Sequence, residues 1–156
     1  MTEDVPEADE LLSAVGFDAE DSVLTHRQAE VLALRERGIS QAAIAEGLGT
    51  SRANVSSIEA SARENIRRAR ETVAFAAALE APVKVRIEPG SDLFDVPSQV
   101  YDACDEAGVK VAVSSSELLK RVRSIASDAI KADTVVSPIT VGVSADGTAQ
   151  VRQSDK

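Results

Sequence analysis

The stretch from Gln41 to Ile58 constrains the fold more than any other part of the chain. Two short helices that cross closely need a small residue at the crossing, a residue that accepts a left-handed turn between them, and apolar residues that lock the second helix onto the first. Ala45 takes the crossing position, Gly49 the turn, and Ile44, Leu48, Val55 and Ile58 the core positions. Ser40 precedes the first helix and Thr50-Ser51 the second, both as N-cap residues whose hydroxyl oxygens can accept from first-turn amides. The pattern predicts a helix-turn-helix. It leaves Arg52, Ala53, Ser56 and Ser57 on the outer face of the second helix, with Asn54 at its shoulder and Thr50 and Ser51 at its N-terminus.

The flanking sequence extends this unit in both directions. Leu24-Thr25-His26-Arg27-Gln28 has the T-x-x-Q form of a capping box, which starts a helix over about 26–37 that Gly38 ends. No Gly or Pro interrupts residues 52–81, and apolar residues recur at 55, 58, 62, 66, 69, 73, 76 and 79. One long helix, or two nearly continuous ones, therefore reaches about residue 79 before Pro82. Such a helix spans roughly 40 Å, so its far half needs a further partner surface. Residues 1–21 read as a solvated acidic extension, with docking of Ala8–Val15 as a helical turn the alternative.

Beyond Pro82 the apolar period changes from helical to two. Val83, Val85 and Ile87 form a half-buried strand that ends at Pro89-Gly90, followed by a helix near 97–107 with Gly108 as its C-cap. A strand over 109–113, a helix over about 116–131 led by Ser114–Ser116, and a hairpin of 139–143 with 149–152 complete the reading. Its Ser144-Ala145-Asp146-Gly147 link carries the Asp-Gly hairpin signal. The expected fold class is α+β: an all-α helix-turn-helix domain with a long connecting helix (22–80), then a small βαβαββ-like domain (82–152), behind the acidic extension (1–21).

Charge sharpens the functional inference. The 156 residues hold 17 Lys and Arg against 26 Asp and Glu, a net charge of −9, which taken alone argues against a nucleic-acid partner. The distribution reverses that inference, because residues 1–21 carry eight acids and no Lys or Arg, whereas residues 22–70 carry eight Arg against five Glu. One basic segment lies inside an acidic protein. Five Lys beside twelve Arg in so acidic a chain fit adaptation to a salty cytoplasm. Abundant salt weakens counterion-release affinity, so such a chain depends more on base contacts and shape.

Other chemistries find little support. A single Cys104 excludes an internal disulfide framework and a Cys-based zinc site, and a single His26 excludes HExxH and His-pair centres. No metal, cofactor or catalytic residue is assigned, and any metal chemistry would rest on carboxylates. Ser114–Ser116 read as a helix cap because no second His exists to activate a nucleophile. Cys104 reads as a small buried hydrophobe, with a redox role the alternative. Asp92, Asp95, Asp102, Asp105 and Glu106 read as a solvated acidic face, with a divalent-cation site the alternative. No apolar run approaches the length of a membrane span, and the acidic N-terminus is unlike a secretory signal.

The helix-turn-helix points to double-stranded DNA, with the helix that begins near Arg52 in the major groove. Arg52 is the candidate for a bidentate contact to guanine, and Asn54 for one to adenine unless it caps the helix. Ala53, Ser56 and Ser57 complete the base-facing set. Arg27, Gln41, Thr50, Ser51, Arg63 and Arg67 are the expected phosphate contacts, although Glu59, Glu64 and Glu71 offer part of the Arg cluster i,i+4 partners on a solvated face.

The run Leu24–Gln41, continuing through Ile44-Ala45 and Leu48–Glu59 to Asn65-Ile66, resembles the Tfx family of archaeal DNA-binding transcriptional regulators. Its front half is also similar to the helix-turn-helix of LuxR-type regulators and of sigma-factor region 4. Gly90–Pro97 and Val100–Gly108 extend the resemblance, which covers residues 22–152 and not the acidic extension. It implies a cytoplasmic transcription factor that binds specific duplex sequences. The alternative is an adaptor that uses a sigma-like helix-turn-helix against other transcription proteins. The C-terminal domain is expected to form a homodimer, with small-molecule effector sensing as its second possible role.

Overall fold

Residues Ala8–Ala14 form a helix (α1), so the acidic extension is not simply a solvated tail. In the computed structural model, residues 5–154 are described, and they divide into two compact units at Thr72/Val73. Within the first unit α1 packs against α2 (His26–Glu36), and Leu12 is buried while Val5, Ala8 and Leu11 pack at the helix-turn-helix core. Burial of those apolar side chains outweighs the preference of the intervening acids for water.

The caps form where the sequence puts them. Thr25 Oγ1 accepts from the Gln28 amide, and Gln28 Oε1 accepts in return from the Thr25 amide. Ser40 Oγ accepts from the Ala43 amide to start α3 (Gln41–Leu48), which Gly49 ends at φ +65°, a left-handed conformation costly for a side chain bearing Cβ. Ser51 Oγ accepts from the Asn54 amide and starts α4 (Arg52–Glu80), one unbroken helix of 29 residues. Val31, Leu34, Ile39, Ile44, Ala45 and Val55 form the core between α2, α3 and α4, with Leu48 and Ile58 at its margin. Along α4 the apolar stripe is buried at Val55 and Ala62 and exposed at Val73 and Leu79, and Phe75, off that stripe, is exposed as well.

The second unit contains a three-stranded antiparallel sheet in the order β1-β4-β5, from Val83–Ile87, Ile139–Val143 and Ala149–Gln153. Val85 pairs with Val141 and Val141 with Val151, so every second residue along the strands faces the same side. Helices α5 (Val96–Ala107) and α6 (Ser115–Ile125) pack on β1 and β5 and close a core around Ile87, Leu93, Val100, Leu118, Val122 and Ile139. Cys104 is fully buried there, and burial raises its thiol pKa.

Three expectations fail in this unit. Residues 109–113 form no strand, because the segment has no ladder partner. Its backbone is held instead by Ala112 N–H donating to the Gly147 carbonyl and by Tyr101 Oη donating to the Val113 carbonyl. The helix expected to reach 131 ends at Ile125, and a 3-10 turn over Ser127–Ala129 follows. A short hairpin, β2 (Ile130–Lys131) with β3 (Thr134–Val135), then turns through Ala132 and Asp133, both at positive φ. The order is therefore βααββββ, and the α+β class stands.

Candidate nucleic-acid interface

The first two turns of α4 carry the residues expected to face DNA. Arg52, Ala53, Asn54, Ser56 and Ser57 are exposed, whereas Val55 between them is fully buried and holds the helix on α2 and α3. The Arg52 guanidinium has neither hydrogen bond nor ion pair among the described residues. Asn54 is engaged twice, since its amide donates to Ser51 Oγ at 3.1 Å and its side-chain Nδ2 to Thr50 Oγ1 at 2.9 Å. Thr50, Ser51 and Asn54 thus form one cap.

Besides Thr50 and Ser51 in that cap, the residues expected at phosphates separate into two groups. Arg27 and Arg67 are exposed and pair within their own helices, with Glu30 at 3.1 Å and Glu64 at 2.7 Å. The Glu64 partner raises the pKa of Arg67, and the Arg67 hydrogen bond lowers that of Glu64. Gln41 and Arg63 converge instead on Glu59, which sequence reasoning took for an i,i+4 surface partner. Glu59 is only 7% exposed. Its carboxylate accepts from Gln41 Nε2 at 2.8 Å, from Arg63 Nη2 at 2.9 Å and from Arg35 Nε at 3.1 Å. Arg35 also donates from Nη1 to the Ile39 carbonyl at 3.0 Å. The Gln41 hydrogen bond, then those from Arg63 and Arg35, hold the Glu59 carboxyl below its usual pKa against the opposing effect of burial.

This latch ties the end of α2, the start of α3 and the second turn of α4 together. Its only sequence signal was the Glu59–Arg63 spacing, because Arg35 and Gln41 lie 24 and 18 residues away. Elsewhere, Asp92 accepts from the Phe94 amide and caps a 3-10 turn. Among the described residues the acids at 92, 95, 102, 105 and 106 gather no metal-like donor set; Asp9, His26 and Glu30 do. Ser114 caps α6 in a reciprocal box with Glu117. No helix among the described residues is long and apolar enough to cross a membrane.

Comparison with known proteins agrees with this architecture. The family described as sigma-70, region 4 matches residues 22–68, and that described as DNA-binding protein, TFX, C-term matches residues 69–151. A protein of the halophile Haloarcula marismortui, named as a candidate transcriptional regulatory protein, is 60% identical over 144 residues, covering 92% of this chain and 91% of its own. A protein of Methanocaldococcus jannaschii with the same kind of name is 39% identical over 132 residues, 85% of this chain and 96% of its own. The DNA-binding protein Tfx of Methanothermobacter thermautotrophicus is 39% identical over 124 residues, 80% of this chain and 90% of its own. With relatives this similar along most of both chains, and a family match over more than half its length, the chain belongs to the Tfx family.

Proposed function

We propose that this protein is a transcriptional regulator that binds specific double-stranded DNA sequences through the first turns of α4 in the major groove. The observation that carries the reading is Arg52: an exposed guanidinium, unengaged among the described residues, at the start of the second helix of a glycine-turned pair, flanked by the short side chains of Ala53, Ser56 and Ser57. A fork of this kind matches guanine O6 and N7, and short neighbours let the helix approach base edges closely. Asn54 keeps its carbonyl oxygen and one N–H for adenine while it caps the helix. Arg27, Thr50, Ser51 and Arg67 are assigned to phosphate. Gln41 and Arg63 serve this surface by holding Glu59, and the Gln41 backbone amide at the start of α3 remains suited to an anion.

Arg52→Ala is expected to cost about 1–3 kcal/mol on the preferred duplex and to relax selection at one base pair. Gel-shift titrations on a panel of single-base variants check it, and equal losses on every sequence would refute base reading. Wild-type affinity should fall steeply with salt. Absence of duplex binding even at low salt would favour the adaptor role instead.

The exposed apolar side chains Val73, Phe75 and Leu79 support homodimerisation, with the module that follows as the seat of dimerisation and, secondarily, of effector sensing. Light scattering on a size-exclusion column should give twice the chain mass for the wild type. Phe75→Glu should shift the mass toward one chain; a wild-type monomer at high concentration would exclude the dimer. A regulator of this kind works in the cytoplasm, where archaeal DNA is held.

A further inference from the structure

We propose that Asp9, His26 and Glu30 form a binding site for a first-row divalent metal ion that fastens α1 to the helix-turn-helix. His26 Nε2 lies 3.0 Å from Asp9 Oδ1 and 3.5 Å from Glu30 Oε1, and the three donor atoms all fall within 4.8 Å of one another. Metal bonds of about 2.1 Å place neighbouring donors roughly 3.0 Å apart in octahedral geometry and roughly 3.4 Å in tetrahedral geometry. The 3.0 Å edge falls in that range and the 3.5 Å edge lies just beyond it. An imidazole nitrogen with two carboxylate oxygens suits zinc, manganese or iron(II) better than calcium, which prefers an all-oxygen shell.

Without a cation the arrangement is poorly balanced. Nε2 can present at most one proton, yet carboxylate oxygens of two residues face it. Glu30 is mostly buried, with its side chain 14% exposed, whereas Asp9 at 78% and His26 at 56% leave the site open to an ion from solvent. The surrounding shell fits a ligand site as well. Arg27 donates from Nη1 toward Glu30 Oε2 at 3.1 Å and fixes that carboxylate, while the Phe17 ring leans on the imidazole at a centroid distance of 6.3 Å. Asp9 and Glu30 also line a cavity of about 250 Å³ with Val5, Pro6, Leu34 and Leu48, on the side of the two carboxylates that His26 does not line. The eight acids and no Lys or Arg in residues 1–21 raise the local cation concentration.

A metal here would close a loop between positions 9 and 26. It would stabilise a helix of seven residues, too short to persist alone, in its docked position. His26 and Glu30 stand i,i+4 on α2, but the third ligand, Asp9, lies 17 residues from His26, so spacing alone does not reveal the set.

The test uses the tag-free full chain, stripped with chelator, and no DNA. His26 is the sole histidine, so its imidazole nitrogen resonances report on one site. Titrated Zn²⁺ should shift Nε2, bind with a calorimetric stoichiometry of one per chain, and raise the melting temperature. Asp9→Asn and Glu30→Gln should each weaken binding roughly tenfold or more, His26→Ala should abolish it, and Glu20→Gln should leave it unchanged. Circular dichroism checks that each variant keeps its helices; Asp9→Asn, which preserves shape at an exposed position, carries the test should His26→Ala misfold. An unmoved imidazole resonance, or wild-type binding by Asp9→Asn and Glu30→Gln, would overturn the site and leave only diffuse attraction to the acidic surface.

Discussion

Glu59→Ala is expected to destabilise the helix-turn-helix by about 2–4 kcal/mol and to weaken duplex binding although Glu59 itself is buried away from solvent. The magnitude follows from what the substitution leaves behind. Arg35, only 33% exposed at its side chain, keeps its bond to the Ile39 carbonyl but loses the charge that balances it, and Gln41 loses the acceptor for its amide. A buried ionic group stripped of its partner typically costs 3–5 kcal/mol, and the partial exposure of Arg35 lowers that figure. The exposed Arg63 arm adds little, so Arg63→Ala should cost well under about 1 kcal/mol. Urea unfolding followed by helical circular dichroism measures both. Equal, small losses for the two variants would show that the latch does not organise the unit.

Acid sensitivity provides a second readout of the same carboxylate. Because Glu59 is held below its ordinary value of 4.5, first by Gln41 and then by Arg63 and Arg35, its contribution is complete above about pH 4.5 and is lost as pH falls through the lower folded value. Glu59→Gln should therefore be less stable than wild type near neutrality and converge with it in acid. Parallel stability curves down to acid pH would contradict that linkage. In the proposed docking the link to DNA is positional: the latch sets how α3 and the outward face of α4 lie on α2, and a small displacement there would spoil groove contacts.

The helix-turn-helix was legible in the sequence because its signals are local. Thr25 and Gln28, Ser40, Gly49 and Ser51 each act within four residues of themselves, and the apolar spacing from Ile44 to Ile58 specifies a core that neighbouring helices can close. What failed depended on distant partners. The composition of residues 1–21 obscured α1, whose Leu11 and Leu12 gain stability only against α2 and its core. Val109, Val111 and Val113 alternate like a strand, but alternation cannot supply the missing ladder partner. The β2–β3 hairpin turns through Ala132-Asp133, which lacks the glycine that marks the β4–β5 turn, and both residues bear the cost of positive φ. Asn54 illustrates a role that sequence left open between cap and base contact; its bond to Thr50 commits part of the amide to the cap.

Gly147→Ala should be the most damaging small substitution in the C-terminal unit, at about 3–5 kcal/mol. Two costs combine at this position. Gly147 sits at φ +88°, where an alanine is strained by about 1–2 kcal/mol. Its Cβ would also collide with the Lys110 carbonyl oxygen and lie 2.8 Å from the Ala112 nitrogen, both backbone atoms that cannot swing aside. Relief requires moving the whole 110–112 segment, which breaks the Ala112 N–H bond to the Gly147 carbonyl and disturbs the neighbouring Tyr101 bond to Val113. Gly108→Ala separates the two costs, since Gly108 has φ +70° with open space where its Cβ would go, and should lose only about 1 kcal/mol. Hydrogen exchange at the amides of β4 and β5 reads the damage within this unit, where Gly147→Ala should open the hairpin and Gly108→Ala should not. Similar losses from both variants would mean that the turn does not bear on residues 110–112 and that this segment, strandless as it is, holds itself by its valines alone.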